Sequence, residues 1–140
     1  METQGDHMTD LMVYAIVGSN VQQVGGECPD GWIVMLSQRP IDAASADYTA
    51  QPDCTWLISE ETILAKLAAQ EAVWRATELP IIGRQLEAIE EAEAADLGDE
   101  PVDLLPGTRK QWLKYRSLVS NWVTGAAGYP HAADRPVRPS

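Results

Sequence analysis

Residues 79–91 read LPIIGRQLEAIEE, and this stretch decides the fold of the second half of the chain. Its large apolar residues recur at intervals of three, four and three, which places them on one narrow stripe of an α-helix. The members of this stripe are Leu79, Ile82, Leu86 and Ile89. Such a stripe requires a partner helix, whereas the glutamates on the opposite face are expected to be solvated.

Residues 108–123 supply a matching helix. Thr108 follows Pro106-Gly107 and is a good N-cap, and aromatic and aliphatic residues then repeat at the same intervals. They are Trp112, Tyr115, Val119 and Trp122, with Leu118 beside them. Two matched stripes separated by the acidic loop GDEPVDLLPG predict an antiparallel helical hairpin.

The first helix of this hairpin begins well upstream. Ser59 is the expected N-cap, and Glu60 and Glu61 lie in the first turn, where carboxylates interact favourably with the helix dipole. Helical spacing then continues to Leu79. Pro80 is expected to kink or restart the helix, because proline lacks an amide donor and crowds the preceding turn.

Upstream of Ser59 the pattern is typical of strands. The runs LMVYAIV, NVQQV, WIVML and CTWLI are each bounded by turn residues, which predicts a small antiparallel sheet of three or four strands. With no phenylalanine in the chain, Tyr14, Trp32 and Trp56 are expected to fill its core. Residues 38–53 are rich in Pro, Ala, Ser and Asp and are interpreted as a long loop.

The sequence therefore predicts an α+β protein. Residues 1–58 form a small antiparallel β module, and residues 59–140 form a helical region that ends in an extended, proline-containing segment. A chain of 140 residues can bury a real but limited core.

Charge argues against nucleic-acid and membrane partners. The chain has 21 acidic and 10 basic residues, and this balance repels phosphate backbones and anionic membranes. From Thr108 onward, however, the chain is basic. RNA binding by this region lacks a stacking motif, so pairing with the chain's own acidic helices is the preferred interpretation. No apolar run approaches a membrane span and no secretion signal is seen, so a reducing cytoplasm is expected.

No catalytic constellation is apparent, and neither enzymatic activity, a metal nor another cofactor is expected. The carboxylate pairs formed by Glu87 with Glu91 and by Glu90 with Glu93 are at helical spacing without a nearby histidine, which favours a solvated face. His7 and His131 have no assigned partners. The two cysteines, Cys28 and Cys54, lack the spacing of a metal site and are interpreted as buried structural thiols.

The second half of the chain resembles the tail fibre assembly chaperones of tailed bacteriophages. The resemblance rests on the segments VWRATELPIIGRQLEAIEE, PGTRKQWLKYRSLVSNW and GYP, followed by RPVRP. Trp74, Arg75, Glu78 and Leu79 match the first family motif. Trp112, Tyr115 and Arg116 match the second, and Tyr129, Pro130 and Pro136 match the third. Where relatives place a tryptophan before a late proline, this chain has Arg135.

The resemblance implies that the chain binds a trimeric phage tail fibre and promotes its folding or attachment. It would act in the host cytoplasm and then be released or retained in the virion tail. Because Trp, Tyr and Arg are enriched at interface anchors, the expected partner-binding residues lie on the motif helices and in the segment after them. They are Trp74, Trp112, Tyr115, Arg116, Trp122 and Tyr129.

Several alternatives remain open at the level of sequence. The stripe of Trp112, Tyr115 and Trp122 could simply pack against the Leu79 to Ile89 stripe, since aromatic residues at helical spacing are usually core. The chain could be a permanent virion component whose sheet adds a strand to a neighbour, or it could self-associate. A small enzyme of host takeover is the third possibility, without a supporting constellation.

Overall fold

The computed structural model describes residues 11–140, in which five short strands precede two α-helices. The strands are β1 (Val13–Ala15), β2 (Gln22–Val24), β3 (Ile33–Met35), β4 (Tyr48–Ala50) and β5 (Trp56–Ile58), and the helices are α1 (Glu60–Ala94) and α2 (Arg109–Ser120). The predicted α+β class is confirmed. The chain divides into two compact units, of which the first ends at Ile63 and the second runs from Leu64 to Ser140.

The first unit contains two antiparallel sheets. In the first sheet β1 is central and the strand order is β2-β1-β3, so that Val13 lies opposite both Val24 and Met35. β4 and β5 form the second sheet, in which Ala50 lies opposite Trp56. The prediction of a single sheet is therefore wrong.

The predicted loop at residues 38–53 contains regular structure. A 3-10 turn at Ser45–Asp47 leads directly into β4. Tyr48 and Thr49 favour extended backbone. The Pro, Ala, Ser and Asp residues around them are typical of loops, so the sequence did not predict this short strand.

The core of the first unit lies between its two sheets, and its buried members are Val13, Ala15, Met35, Ala50 and Trp56. The Trp56 indole Nε1 donates a hydrogen bond of 2.9 Å to the carbonyl of Ser37, which satisfies the one polar atom of this side chain. Tyr14 is also buried as predicted, whereas Trp32 is only half-buried. The prediction of buried thiols is wrong: Cys28 is exposed and Cys54 is half-buried, and both are free.

Helix α1 begins as predicted and runs to Ala94 without the predicted restart at Pro80. The Ser59 hydroxyl accepts a hydrogen bond of 3.1 Å from the Thr62 amide, and the helix then extends over 35 residues with Pro80 inside it. Pro80 is exposed, and buried side chains on both sides of it, including Glu78 and Ile82, fix the helix. Because packing on both sides outweighs the lost hydrogen bond, the helix does not end at the proline.

Helix α2 starts with a capping box. The Thr108 hydroxyl accepts a hydrogen bond from the Gln111 amide at 3.2 Å, and the Gln111 side chain accepts one from the Thr108 amide at 2.8 Å. The helix ends at Ser120, a little before the predicted end, and Asn121 caps it. Trp122 therefore lies just beyond the helix.

The two helices run antiparallel. Contacts link the start of α2 to the end of α1 through Arg109 and Glu93, at 2.6 Å, and link Trp122, after α2, to Glu71, nearer the start of α1, at 2.9 Å. This ordering of contacts is that of the predicted helical hairpin.

Residues 121–134 turn back on the hairpin, which corrects the prediction that the segment is extended from residue 125, and residues 135–140 form neither helix nor strand. The chain passes through consecutive turns and a 3-10 turn at Ala132–Asp134. Gly128 has a φ of 80°, and a β-carbon there would collide with the side chain of Asp134. Glycine is therefore required for this return of the chain.

Candidate functional site

A buried carboxylate in α1, that of Glu71, organises one end of the second unit. Glu71 is 1% exposed and receives a forked pair from the Arg135 guanidinium, with Nε–Oε1 at 2.6 Å and Nη2–Oε2 at 2.7 Å. The Trp122 indole Nε1 donates a third hydrogen bond to Oε1 at 2.9 Å. The guanidinium carbon of Arg135 also lies 4.8 Å from the ring centroid of Trp74, a cation–π distance.

A second buried carboxylate, that of Glu78, repeats this arrangement. Glu78 is 4% exposed, and Arg138 binds it with Nε–Oε2 at 2.6 Å and Nη2–Oε1 at 2.9 Å. The Tyr115 hydroxyl donates to Oε2 at 2.5 Å. Forked pairs of this kind are the strong form of charge-assisted hydrogen bond.

The spacing of the two pairs explains how the C-terminal segment (residues 129–140) lies along the helix. Glu71 and Glu78 are seven residues apart in α1, which is an axial distance of about 10.5 Å. Arg135 and Arg138 are three residues apart in extended backbone, which spans about 10 Å. The distance between the two arginines of RPVR is therefore close to the length of two helical turns, which separates Glu71 from Glu78.

Electrostatics keeps both carboxylates charged. The Arg135 guanidinium lowers the pKa of Glu71, burial opposes this effect, and the Trp122 hydrogen bond reinforces it. In the same way Arg138 lowers the pKa of Glu78. Burial, together with the hydrogen bond to Glu78, raises the pKa of Tyr115. At neutral pH the two glutamates are anions and the tyrosine is a neutral donor.

An apolar cluster lies between the helices beside these pairs. Its buried members are Ile82, Leu86, Trp112, Tyr115 and Val119, with Trp74, Leu79, Ile89 and Leu105 packed against it. Trp112 is fully buried, and its indole Nε1 donates to the carbonyl of Pro106 at 3.0 Å. Packing on the Leu79 to Ile89 stripe, one of the two interpretations of the sequence, is thus confirmed for Trp112 and Tyr115, whereas Trp122 contacts Glu71 and Tyr129 instead.

The six predicted partner-binding residues fall into two groups. Trp112, Tyr115 and Trp122 are buried within the chain and offer little area to a partner in this conformation. Trp74 and Tyr129 are half-buried, and the Tyr129 ring packs edge-to-face on Trp122 with centroids 5.3 Å apart. Arg116 is exposed. Five of the six are therefore buried or half-buried in the second unit, and Arg116 is the exposed member of the set.

Residues that the sequence did not single out form the exposed outer face of α2. Lys110 and Lys114 are exposed on the side opposite Trp112, and the exposed Leu113 borders them. Leu118, at the edge of this face, is 49% exposed and borders two cavities. Helical spacing could have identified this face, because Lys110, Lys114 and Leu118 are four residues apart in turn.

The acidic outer face of α1 has the character predicted for it. Arg84 holds Glu91 at 3.0 Å and Asp103 at 2.8 Å, and all three side chains are exposed. The buried Gln85, in contrast, was not foreseen: its side chain bonds the carbonyl of Asp103 at 2.9 Å and the amide of Leu105 at 2.8 Å. It fixes the loop between the helices.

The histidines and the possible metal ligands were the other candidate residues. His131 is exposed, and His7 lies outside the described residues. Within residues 11–140 no three side chains of the His, Cys, Asp or Glu types are grouped so that they could hold a metal ion. In the same range neither helix combines the length and apolar character needed to span a membrane.

Comparison with known proteins adds no assignment. No protein-family model matches the chain, and comparisons with curated proteins and with solved structures also found no match. The function must therefore be argued from the motif segments and from the geometry around them.

Proposed function

We propose that the chain is a phage tail fibre assembly chaperone or fibre-associated factor, which binds a trimeric tail fibre and promotes its folding or attachment. One observation carries the proposal: the three motif segments, far apart in sequence, meet in one packed cluster. Trp74 stacks on Arg135, Glu78 accepts from Tyr115, and Tyr129 packs on Trp122. Motifs that build one cluster together are more informative than short motifs scattered over a fold.

The cluster suggests a division of roles among the motif residues. The buried aromatic residues act as the scaffold, because Trp112, Tyr115 and Trp122 are already covered by the chain itself. Contact with the fibre then falls to exposed neighbours of the scaffold, namely Arg116 and the outer face of α2. Such contacts would cover apolar fibre surface before trimerisation and suppress aggregation in the host cytoplasm.

Co-expression tests this proposal. A tail fibre protein of the phage that would encode this chain is expressed with wild-type chain, with no partner, and with Leu113→Ser or Leu36→Ser variants. Leu113 lies on the α2 face, and Leu36, which is 77% exposed in the first unit, is the matched control. We expect wild type and Leu36→Ser to increase soluble fibre trimer and to co-purify with it, and Leu113→Ser to do so less.

If the fibre trimerises as well without this chain and never retains it, the chain is not a fibre chaperone.

A permanent virion component is the second candidate. The specific observation in its favour is the strand order β2-β1-β3, which leaves β2 as an edge strand to which a neighbour could add a strand. Purified virions that contain the chain at fixed stoichiometry would favour this candidate. Particles that lack the chain, together with insoluble fibre in its absence, would favour the chaperone.

A further inference from the structure

The outer face of α2 carries a row of two lysines and a leucine. Lys110, Lys114 and Leu118 follow each other at intervals of four residues, so neighbouring members are separated by about 6 Å along the helix axis. All three are exposed. Lys110 and Lys114 lie on the side of α2 opposite the buried Trp112, so substitutions of these two lysines should leave the core intact.

The cations of this face have no partner within residues 11–140. Neither Lys110 nor Lys114 takes part in a hydrogen bond or an ion pair there, and neither does Arg116, which lies on a different side of α2. Four other arginines of the second unit pair with carboxylates, namely Arg84, Arg109, Arg135 and Arg138, whereas the half-buried Arg75 has no carboxylate partner within residues 11–140. The α2 face is thus the place in this unit where several positive charges remain available.

Apolar surface adjoins the lysines. Leu118 is 49% exposed and Val137 is 85% exposed, and together with Lys114 they border a cavity of about 210 Å³. On the other side of Leu118 a cavity of about 370 Å³ is lined by Trp122, Ala126 and Pro136, among others. Asp134 also lines this second cavity, so an apolar group fits there better than a carboxylate.

The charge of the chain and of the α2 face indicates which kind of partner binds this face. The chain has a formal charge of −11, so a second copy is repelled at long range, as are nucleic acids. A local basic row beside exposed apolar side chains is instead complementary to an acidic, partly apolar protein segment.

We propose that the outer face of α2 docks a partner segment with two carboxylates about 6 Å apart and an apolar side chain about 6 Å beyond them. On a partner helix this corresponds to Glu at positions i and i+4 and Leu at i+8. The carboxylates meet Lys110 and Lys114, and the apolar side chain lies against Leu118 between the two cavities. The inference rests on the proposed function, and it defines the chemistry of the fibre segment that is bound.

A synthetic helical peptide tests the inference directly. The probe carries the Glu, Glu and Leu pattern and a fluorophore, and binding to the full chain is measured by anisotropy at two salt concentrations. We expect saturable binding that weakens at higher salt, and a loss of about tenfold in affinity for Lys114→Glu, which corresponds to about 1.4 kcal/mol. Lys110→Glu is a second variant of the same row and is expected to behave likewise.

Two controls exclude non-specific attraction. Lys66→Glu, in α1, changes the net charge of the chain by the same amount and should bind the probe like wild type. A peptide of the same composition in scrambled order should bind weakly. Thermal unfolding of each variant establishes that it is folded.

Three results overturn the inference. They are no binding of the probe, equal losses for Lys114→Glu and Lys66→Glu, and equal binding of the scrambled peptide. A concentration-dependent dimer that Lys114→Glu abolishes would assign the face to a second copy instead.

The fibre co-expression experiment separates the two proposals. Fibre rescue without peptide binding defeats the inference alone, and peptide binding without any fibre rescue defeats the proposed function.

Discussion

Glu71 and Glu78 are buried carboxylates in the second unit, at 1% and 4% exposure. Both are carboxylates buried in a helix, and each has a forked arginine and an aromatic donor. Removal of one partner from a buried pair is costly because it leaves an uncompensated charge. These glutamates, together with the contacts of Trp74 and Trp122, tie the C-terminal segment to the helical hairpin.

Arg135→Ala should therefore destabilise the second unit. We expect a loss of about 3 kcal/mol in the free energy of unfolding, measured by urea denaturation at pH 7, because Glu71 would remain buried without its cation. Arg116→Ala is the control, since Arg116 is exposed and unpaired within residues 11–140, and a change below about 0.5 kcal/mol is expected. Equal effects of the two substitutions would contradict the role given to Arg135.

Acid should destabilise the chain through the same carboxylates. Arg135 and Arg138 lower the pKa of Glu71 and of Glu78 in the folded protein relative to the unfolded value of about 4.3. The stabilisation is therefore complete above the unfolded pKa and is lost as pH falls through the lower, folded pKa.

Urea denaturation between pH 7 and pH 2.5 measures this dependence. The double variant Glu71→Gln/Glu78→Gln should be less stable at pH 7 and should lose less stability on acidification than wild type. If both proteins show the same pH dependence, the two carboxylates are not its source.

The sequence could not reveal these residues. A glutamate at a helical position is ordinarily solvated, and Arg135 lies 64 residues from Glu71. The only sequence signal was the general one that a basic C-terminal region could pair with acidic helices. The aromatic stripe was easier to interpret, because the burial of Trp112 and Val119 follows from helical spacing alone.

Helix α1 shows how packing overrides a local signal at the scale of an element. Pro80 lacks the amide that would bond the carbonyl of Ala76, yet the helix continues to Ala94. Ile82 and Leu86, which pack against α2, hold the following turns in place. The proline is thus tolerated at a cost that the interhelical core offsets.

Pro80→Ala should accordingly stabilise the helix. We expect a gain of about 1 to 3 kcal/mol in unfolding free energy, since alanine restores the donor and is the best helix former. Gly83→Ala is a matched control in the same helix, with open space around its new β-carbon and an expected gain of about 1 kcal/mol. A Pro80→Ala variant that is no more stable than wild type would show that the proline causes no loss here.

Elements with strong periodicity were predictable, and short ones were not. Capping residues at Ser59 and Thr108 marked the starts of both helices correctly. β4 escaped notice because three residues cannot display alternation, and only its pairing with β5 makes it a strand. The folding back of residues 129–140 depends on long-range ion pairs, which no local pattern encodes.

At the scale of the whole molecule, the two units have separate cores. One contains Val13, Met35 and Trp56, and the other contains Ile82 and Trp112. Both glutamate–arginine systems belong to the second unit. We therefore expect the second unit to fold without the first.

A fragment of residues 59–140 should be folded. It retains the Ser59 cap, both helices and the C-terminal segment, so we expect helical circular dichroism, dispersed amide NMR signals and a cooperative thermal transition. The same fragment with Arg135→Ala should melt at a lower temperature. A fragment without signal dispersion would show that the second unit requires the first.

The contact between Arg135, Trp74 and Glu71 has an optical consequence. Trp74 lies under the guanidinium and Trp122 bonds the carboxylate, whereas Trp112 is sealed in the interhelical core. When the C-terminal segment lifts, the first two indoles gain water while the third does not. The emission of Trp74 and Trp122 should then shift to longer wavelength while that of Trp112 does not. Intrinsic tryptophan fluorescence therefore reports whether the C-terminal segment is bound to the hairpin.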